Sequence, residues 1–433
     1  MPLRSGTIGY SRFLVTGDAP NSPDDAFFAR LRDHVLAPRA RNDAAEIASG
    51  FCTGRHVFDG EFTYETCGFG ASLLAAMRID TAQVPSEIKH AYRAMAEDAR
   101  RGKEGDGIQA LSRSAKREAK DEAEERCKKD LIEGKYRRVA MQSFLWDLPS
   151  GLLLAGITSD KQVQELKSLL DAACGVRLER RSAGTIALDL LAARGKTAAL
   201  DDALPDALVA RPEGPEPDDR DDAGAATHFR AQGRPDVPWA QAAGEPNDFL
   251  GNLFLLWLWW HVDEHEGVIE TGGPTVALVI ERVLEMECAW GVTGAQSLRG
   301  DAPTKLAEAA KALQSGKWPR KFGLLVAAHG QEYRCSLHGD RFAVSGLAVP
   351  KDDDEKALSP RQTLELRVDH VLTFDRILTA LFDAFLKDRF GPSWETRAGQ
   401  LRSWIAAMGK PRRSAPTARV FIEPKPDEVA AGA

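Results

Sequence analysis

The sequence contains no C-x-x-C pair: its six cysteines, Cys52, Cys67, Cys127, Cys174, Cys288 and Cys335, lie scattered through 433 residues. That excludes a zinc ribbon and a disulfide scaffold and favours a reducing compartment. Residues 1–6 (MPLRSG) lack the apolar core of a secretory signal. The longest apolar run, 249–262, has 14 residues and is interrupted by Asn252, whereas a membrane span needs about 20. These absences predict a soluble, cytoplasmic protein. Catalytic signatures are missing as well, with no H-E-x-x-H, no G-x-S-x-G elbow and no conspicuous Cys–His pair. Leu190-x4-Gly195-Lys196-Thr197 ends like a phosphate-binding loop. Its first position is Leu, where Gly is needed for backbone amides to wrap a phosphate, so a surface turn is expected.

What is present suits two or three domains with real cores: 43% hydrophobic residues, 28% charged, and a formal charge of 57 − 64 = −7. Residues 1–84 read as an N-terminal α/β region, with a strand at 9–15, a helix within 20–37 and paired strands at 57–64 and 73–79. Residues 85–138 read as a charged helical arm. Pro85-Ser86 opens one helix, glycines at 102, 105 and 107 break it, and a second helix carries Leu111, Ala115, Ala119, Ala123, Cys127 and Leu131 at a spacing of four. The segment 89–138 holds 15 Lys/Arg against 11 Asp/Glu. A strand–strand–helix region follows at 139–197, with a hairpin of 141–146 and 151–157, a helix at 160–174, and further strands or a strand–helix step through 177–178 and 186–190. Residues 198–246, rich in Pro, Gly, Ala and acids, read as an acidic disordered linker. The C-terminal α+β region, 247–390, offers a buried helix at 247–262, helices at 274–285 and 303–313, and a strand at 289–293. A three-strand meander over 322–328, 332–337 and 342–349 follows, then a helix at 369–390. Residues 391–433 read as a basic tail, partly disordered.

Each chemical candidate has a structural alternative. His261 and His265, at i and i+4, could bind a metal with Asp263 or Glu266, or form the polar end of the Trp-rich helix, which is the expectation here. The acid runs 352–355 and 218–222 lie in loop-like sequence and read as solvated rather than as a nuclease carboxylate set. Trp257, Trp259 and Trp260 could stack bases but are expected in a core or dimer contact. Basic residues come in blocks: Lys135 with Arg137 and Arg138, Arg177 with Arg180 and Arg181, Lys317 with Arg320 and Lys321, and Lys410 with Arg412 and Arg413. Such blocks neutralise phosphates without reading bases. Residues 198–226 hold nine acids and two arginines, a net of −7, so the remainder of the chain is neutral.

The order of features, with VPSEIKHAYRAM (84–95), MQSFLWDLPSGLLLAGITSDKQVQELKSLL (141–170), LQSGKWPRKFGLLVAAHGQEYRCSLHGD (313–340) and the closing helix at 371–386, resembles the RdgC family of recombination-associated proteins. The resemblance implies an α+β protomer of several regions, with a long charged helical arm and antiparallel sheets. It further implies a ring-shaped homodimer that encircles double-stranded DNA with little sequence preference, associates with the nucleoid and limits the access of a RecA-class recombinase. In VTGAQSL (292–298), Gln296 matches a family Gln of the DNA-facing surface, with Gly294-Ala295 where a Lys normally precedes it. Arg137 falls where the family has a dimer-contact Phe, with Tyr136 alongside. The expected DNA-binding set is therefore Lys135, Arg137, Arg138, Arg180, Arg181, Gln296, Lys317, Arg320 and Lys321, with no catalytic residue, metal or cofactor. Two alternatives stay open: a metal-dependent exonuclease relying on Asp263 or Glu264, and an adaptor whose Trp-rich segment binds a protein.

Overall fold

The computed structural model describes residues 3–37, 47–104, 111–214, 233–351 and 358–409. The protein is mixed α+β with extensive antiparallel sheet, in two compact units. Strand β1 (Ile8–Thr16) opens the chain. The first unit comprises Val15–Leu153 and Ile157–Leu178. Along it run α1 (Asp25–Asp33), β2 (Ile47–Cys52), α2 (Tyr64–Cys67), β3 (Gly68–Phe69), β4 (Ser72–Ala82), α3 (Ser86–Glu104), α4 (Arg113–Ile132), β5 (Arg137–Asp147), β6 (Leu152–Ala155) and α5 (Asp160–Cys174).

In this unit β4 pairs antiparallel with β2, β3 and β5. Nine consecutive residues from Ser72 are buried, which is why the strand reads as an apolar run without alternation: both of its faces are covered. Helix α1 buries Phe27, Phe28 and Leu31, and Asp24 caps it by accepting the Phe27 N–H at 2.7 Å. Phe27 meets Trp146 edge-on at 5.7 Å. The strand expected at 57–64 does not form, and β2 pairs with β4 instead. Asp59 turns the chain there: the Thr53 hydroxyl donates to its carboxylate at 2.6 Å, and the Glu61 N–H donates to it at 3.2 Å. This local side-chain bonding outcompetes a strand.

Helices α3 and α4 pack antiparallel through small residues, with Ala115, Ala119 and Ala123 buried. The Tyr92 hydroxyl donates to Asp130 at 2.5 Å, and Arg100 pairs with Glu122 at 2.8 Å. Helix α5 ends at Gly175, whose φ of 68° supplies the left-handed C-cap.

The second unit comprises the N-terminal residues to Leu14, Leu154–Gly156 and the chain from Glu179. After β7 (Arg177–Arg181) come α6 (Ala183–Ala192), α7 (Thr197–Asp201), α8 (Pro238–Ala242), α9 (Phe249–Glu264), β8 (Val268–Glu270), β9 (Thr275–Cys288) and β10 (Gln296–Gly300). They are followed by α10 (Ala307–Gln314), β11 (Lys317–Ala328), β12 (Gln331–His338), β13 (Ala343–Ala348), α11 (Pro360–Arg389) and α12 (Trp394–Ala407). The sheet order is β10-β9-β11-β12-β13-β1, antiparallel throughout.

Helix α9 is apolar all round and buried from Phe249 to Trp260. Phe254 stands 6.0 Å from Phe342, 5.2 Å from Phe382 and 5.8 Å from Phe385. Asn252 is tolerated because it donates to the Pro319 carbonyl at 2.9 Å and accepts the Trp239 indole N–H at 2.9 Å. Gly251 is required because a Cβ there would lie 2.0 Å from the Gly339 carbonyl oxygen. Among the described residues no helix is long and apolar enough to cross a membrane.

Several sequence expectations change in this unit. The helix expected at 274–285 is strand β9, and the strand expected at 289–293 is a turn, with β10 formed at Gln296–Gly300. Val276, Val279, Ile280, Val283 and Leu284 satisfy helical spacing, but Val276, Leu278, Ile280, Leu284 and Met286 bury one strand face. Of the two readings of 177–178 and 186–190, the strand–helix step is the one that forms, as β7 followed by α6. The linker expected at 198–246 is narrower, because Leu200, Leu208, Val237 and Trp239 are buried. Asp206 accepts from Trp394 at 3.3 Å and pairs with Arg389 at 3.3 Å. Within the expected tail, α12 buries Trp394, Leu401, Trp404 and Ile405. The acid runs 218–222 and 352–355 and the basic block 410–413 lie outside the described residues.

Candidate nucleic-acid interface

At the root of the helical hairpin the chain turns from α4 into β5 through Tyr136, which has a φ of 60°. Lys135 lies 2.8 Å from Asp130 and 3.1 Å from Glu133. The bond to Asp130 raises the Lys135 ammonium, and the same bond, with that from Tyr92, lowers the Asp130 carboxyl. Lys135 thus ties the arm together and is already charge-balanced. Arg137 and Arg138 open β5 opposite Ala82 and Thr81, so the strand period sends their side chains to opposite faces. Arg138 is exposed, and among the described residues no acid pairs with either arginine. Arg78, on neighbouring β4, is buried and bonded through two nitrogens to Asp80, at 2.7 and 2.5 Å, which occupies its fork.

In the second unit, Gln296, Lys317, Arg320 and Lys321 come together on β10 and β11. The Lys317 ammonium donates to the Gln296 side-chain oxygen at 3.2 Å. Arg320 is the extra residue of a bulge between Pro319 and Lys321. It pairs with Glu287 at 2.6 Å and Asp340 at 2.8 Å, and its guanidinium stands 4.8 Å from the Trp239 ring. Lys321 faces Glu285 in register and pairs with it at 3.3 Å. On β7, Arg180 is exposed and Arg181 pairs with Asp189 of α6. The expected set therefore falls into local groups, and acids balance Lys135, Arg181, Arg320 and Lys321. Sequence reading missed the Tyr92–Asp130–Lys135 junction, because a buried Asp inside a charged helix carries no distinguishing pattern.

The other candidates resolve into structure. The His261 and His265 rings are 5.1 Å apart. Burial, then the charges of His265 and Arg397, push the His261 pKa down to about 3. Both His261 ring nitrogens are buried without a hydrogen-bond partner. Asp263 is bound to the Lys305 ammonium at 2.6 Å and accepts from the Trp404 indole at 3.3 Å. Among the described residues, no three His, Cys, Asp or Glu side chains converge. Trp257, Trp259 and Trp260 are buried and present no ring to a base. Gly195, with a φ of 66°, turns the chain after α6, and Lys196 donates its ammonium to the Phe390 carbonyl at 3.0 Å. Comparison with protein-family models and with curated proteins finds no match for this chain.

Proposed function

We propose that the chain is an RdgC-like protein that binds duplex DNA without reading its sequence and without catalysing a reaction on it. In this reading it works as a ring-shaped homodimer at the nucleoid and limits the access of a RecA-class recombinase. The observation that carries DNA binding is the pair Arg137 and Arg138. They lead β5 away from a charged helical hairpin with no acid beside them among the described residues, and Arg138 is exposed. Phosphate contact needs accessible cations whose charge is not already neutralised. By that criterion Arg138 is the leading contact, while Arg320, Lys321 and Arg181 serve chiefly to hold their own elements together.

The rival exonuclease would rest on Asp263 or Glu264. Asp263 is committed to Lys305 and Trp404, which ties it to the packing of α9. Salt-dependent duplex binding, combined with a mass measurement of the free protein, tests the reading. The logarithm of affinity should fall linearly with the logarithm of salt, and Arg138→Ala should reduce that slope by about one unit. An affinity that barely changes between low and moderate salt overturns the proposal. Magnesium- or manganese-dependent loss of labelled DNA ends, abolished by Asp263→Asn, would favour the exonuclease.

A further inference from the structure

The place of His261 and His265 at the end of α9 does not use up their chemistry. The backbone holds the two rings together. The His261 carbonyl accepts the N–H of His265 at 2.9 Å and that of Gly267 at 3.0 Å, and Glu266 between them has a φ of 55°. Gly267 is fixed in turn against β9: its carbonyl accepts the Leu278 N–H at 2.9 Å, and a Cβ on it would lie 2.2 Å from the Leu278 carbonyl oxygen. This closed turn folds the His265 ring back to 5.1 Å from the His261 ring.

His261 is packed edge-on to Trp257 at 4.1 Å and to Trp260 at 4.9 Å, and neither of its buried nitrogens has a hydrogen-bond partner among the described residues. The polar groups around it are committed elsewhere. The Trp257 indole donates to Asp388 at 3.0 Å, Arg397 pairs with Asp388 at 2.9 Å and lies over the Trp260 ring, and Asp263 pairs with Lys305. A buried polar nitrogen without a partner costs free energy and calls for a ligand. Neutral imidazole offers one lone pair, which suits a borderline transition-metal ion better than magnesium or calcium, whose preferred ligands are oxygens. His265, which is exposed, brings a second lone pair from the solvent side. With metal–nitrogen bonds of about 2.0–2.1 Å, one ion can join two rings at this separation.

We propose that His261 and His265 chelate a divalent ion of the zinc, nickel and copper class, with water completing its coordination. Among the described residues no third His, Cys, Asp or Glu converges on the pair, so the site is an open chelate rather than a closed structural centre. It uses none of the residues proposed to contact DNA and does not depend on that reading. Nor is it the magnesium or manganese centre that an exonuclease would need.

Titration of the chelator-stripped full chain with zinc chloride and, separately, copper(II) chloride tests the proposal, read by calorimetry and by tryptophan fluorescence. One equivalent of at least one ion should bind, and His265→Gln should weaken that binding about tenfold or more. Copper should quench tryptophan emission in the wild type and not in the variant, and zinc should raise the melting temperature of the wild type alone. His265 is exposed, so the variant should melt like the wild type without metal, and His261→Gln should remove the same binding. His90→Ala, on α3, should leave it unchanged. Binding of less than one equivalent of either ion overturns the proposal. So does binding indifferent to His265→Gln, or zinc displaced by excess magnesium, which would place the ion on carboxylates.

Discussion

Asp248 lies buried before α9, its carboxylate accepting the Gly184 backbone N–H at 2.9 Å. Burial pushes its pKa up to about 7, against the opposing bonds from Ser182 and Gly184 and with help from Glu245 and Asp340. The folded protein therefore holds this proton more tightly than the unfolded chain. The linked stability is complete below about pH 4 and is lost as the pH rises through 7. Asp248→Asn keeps the acceptor oxygen and removes the charge. Urea unfolding across this range should show wild type losing about 4 kcal/mol relative to the variant; parallel pH profiles would contradict the assignment. A second residue-scale expectation concerns Arg12, only 2% exposed, whose guanidinium lies 2.8 Å from Asp375 and 4.5 Å from the Phe342 ring. Asp375→Ala strands that charge in the core and should cost about 3–5 kcal/mol, whereas the double change Arg12→Met with Asp375→Leu should recover most of the loss. Neither site was legible in the sequence, because burial of a lone Arg or Asp depends on segments far apart in the chain, 64 positions for Asp248 and Gly184 and 363 for Arg12 and Asp375.

At the scale of elements, the arm shows how a weak local pattern becomes a packed pair. The spacing of four through Ala115, Ala119 and Ala123 predicts a narrow stripe, and the stripe is what α4 buries against α3. Ala119→Leu should overpack that contact by about 1–3 kcal/mol. Because the hairpin is a local unit, limited trypsin digestion should cut faster within 86–132 while the overall melting temperature changes little; a large global loss would mean that the arm is not a separate element. Helix α5 was legible from its amphipathic spacing: the helix expected at 160–174 forms as Asp160–Cys174, with Ser159 and Gly175 as its caps. Strand β9 was not. Its apolar residues satisfy both the helical and the strand period, and the alternation skips at exposed Arg282, which has a φ of 66°. Only pairing to β10 and β11 selects the strand. Helix α12 was missed for a similar reason: its two tryptophans sit among charges, and their burial comes from neighbours in the fold.

At the scale of the molecule, the nine acids concentrated in 198–226 fall into three groups, of which Asp201, Asp202 and Glu213 are exposed. Asp206 spends its charge on Arg389 inside the second unit. Glu216, Asp218, Asp219, Asp221 and Asp222 lie outside the described residues. Amide replacement of those five should tighten duplex DNA binding at low salt and leave the melting temperature unchanged, while Asp206→Asn should lower it. If the fivefold variant binds DNA with wild-type affinity, the acidic segment does not compete with DNA.

The sequence by itself determined the α+β class, the charged hairpin, the meander from β11 to β13 and the burial of the Trp-rich helix. Each of these follows from hydrophobic period, caps and turn residues acting over a few neighbours. Tertiary structure decided which cations stay unbalanced, because a basic block carries no record of the acid that will face it. Lys321 found Glu285, Arg320 found Glu287 and Asp340, and Arg181 found Asp189, whereas no described acid faces Arg138. Blocks that look alike in one dimension are thus separated in three by cross-strand register and helix packing, and charge pairing depends on distances that only the fold sets.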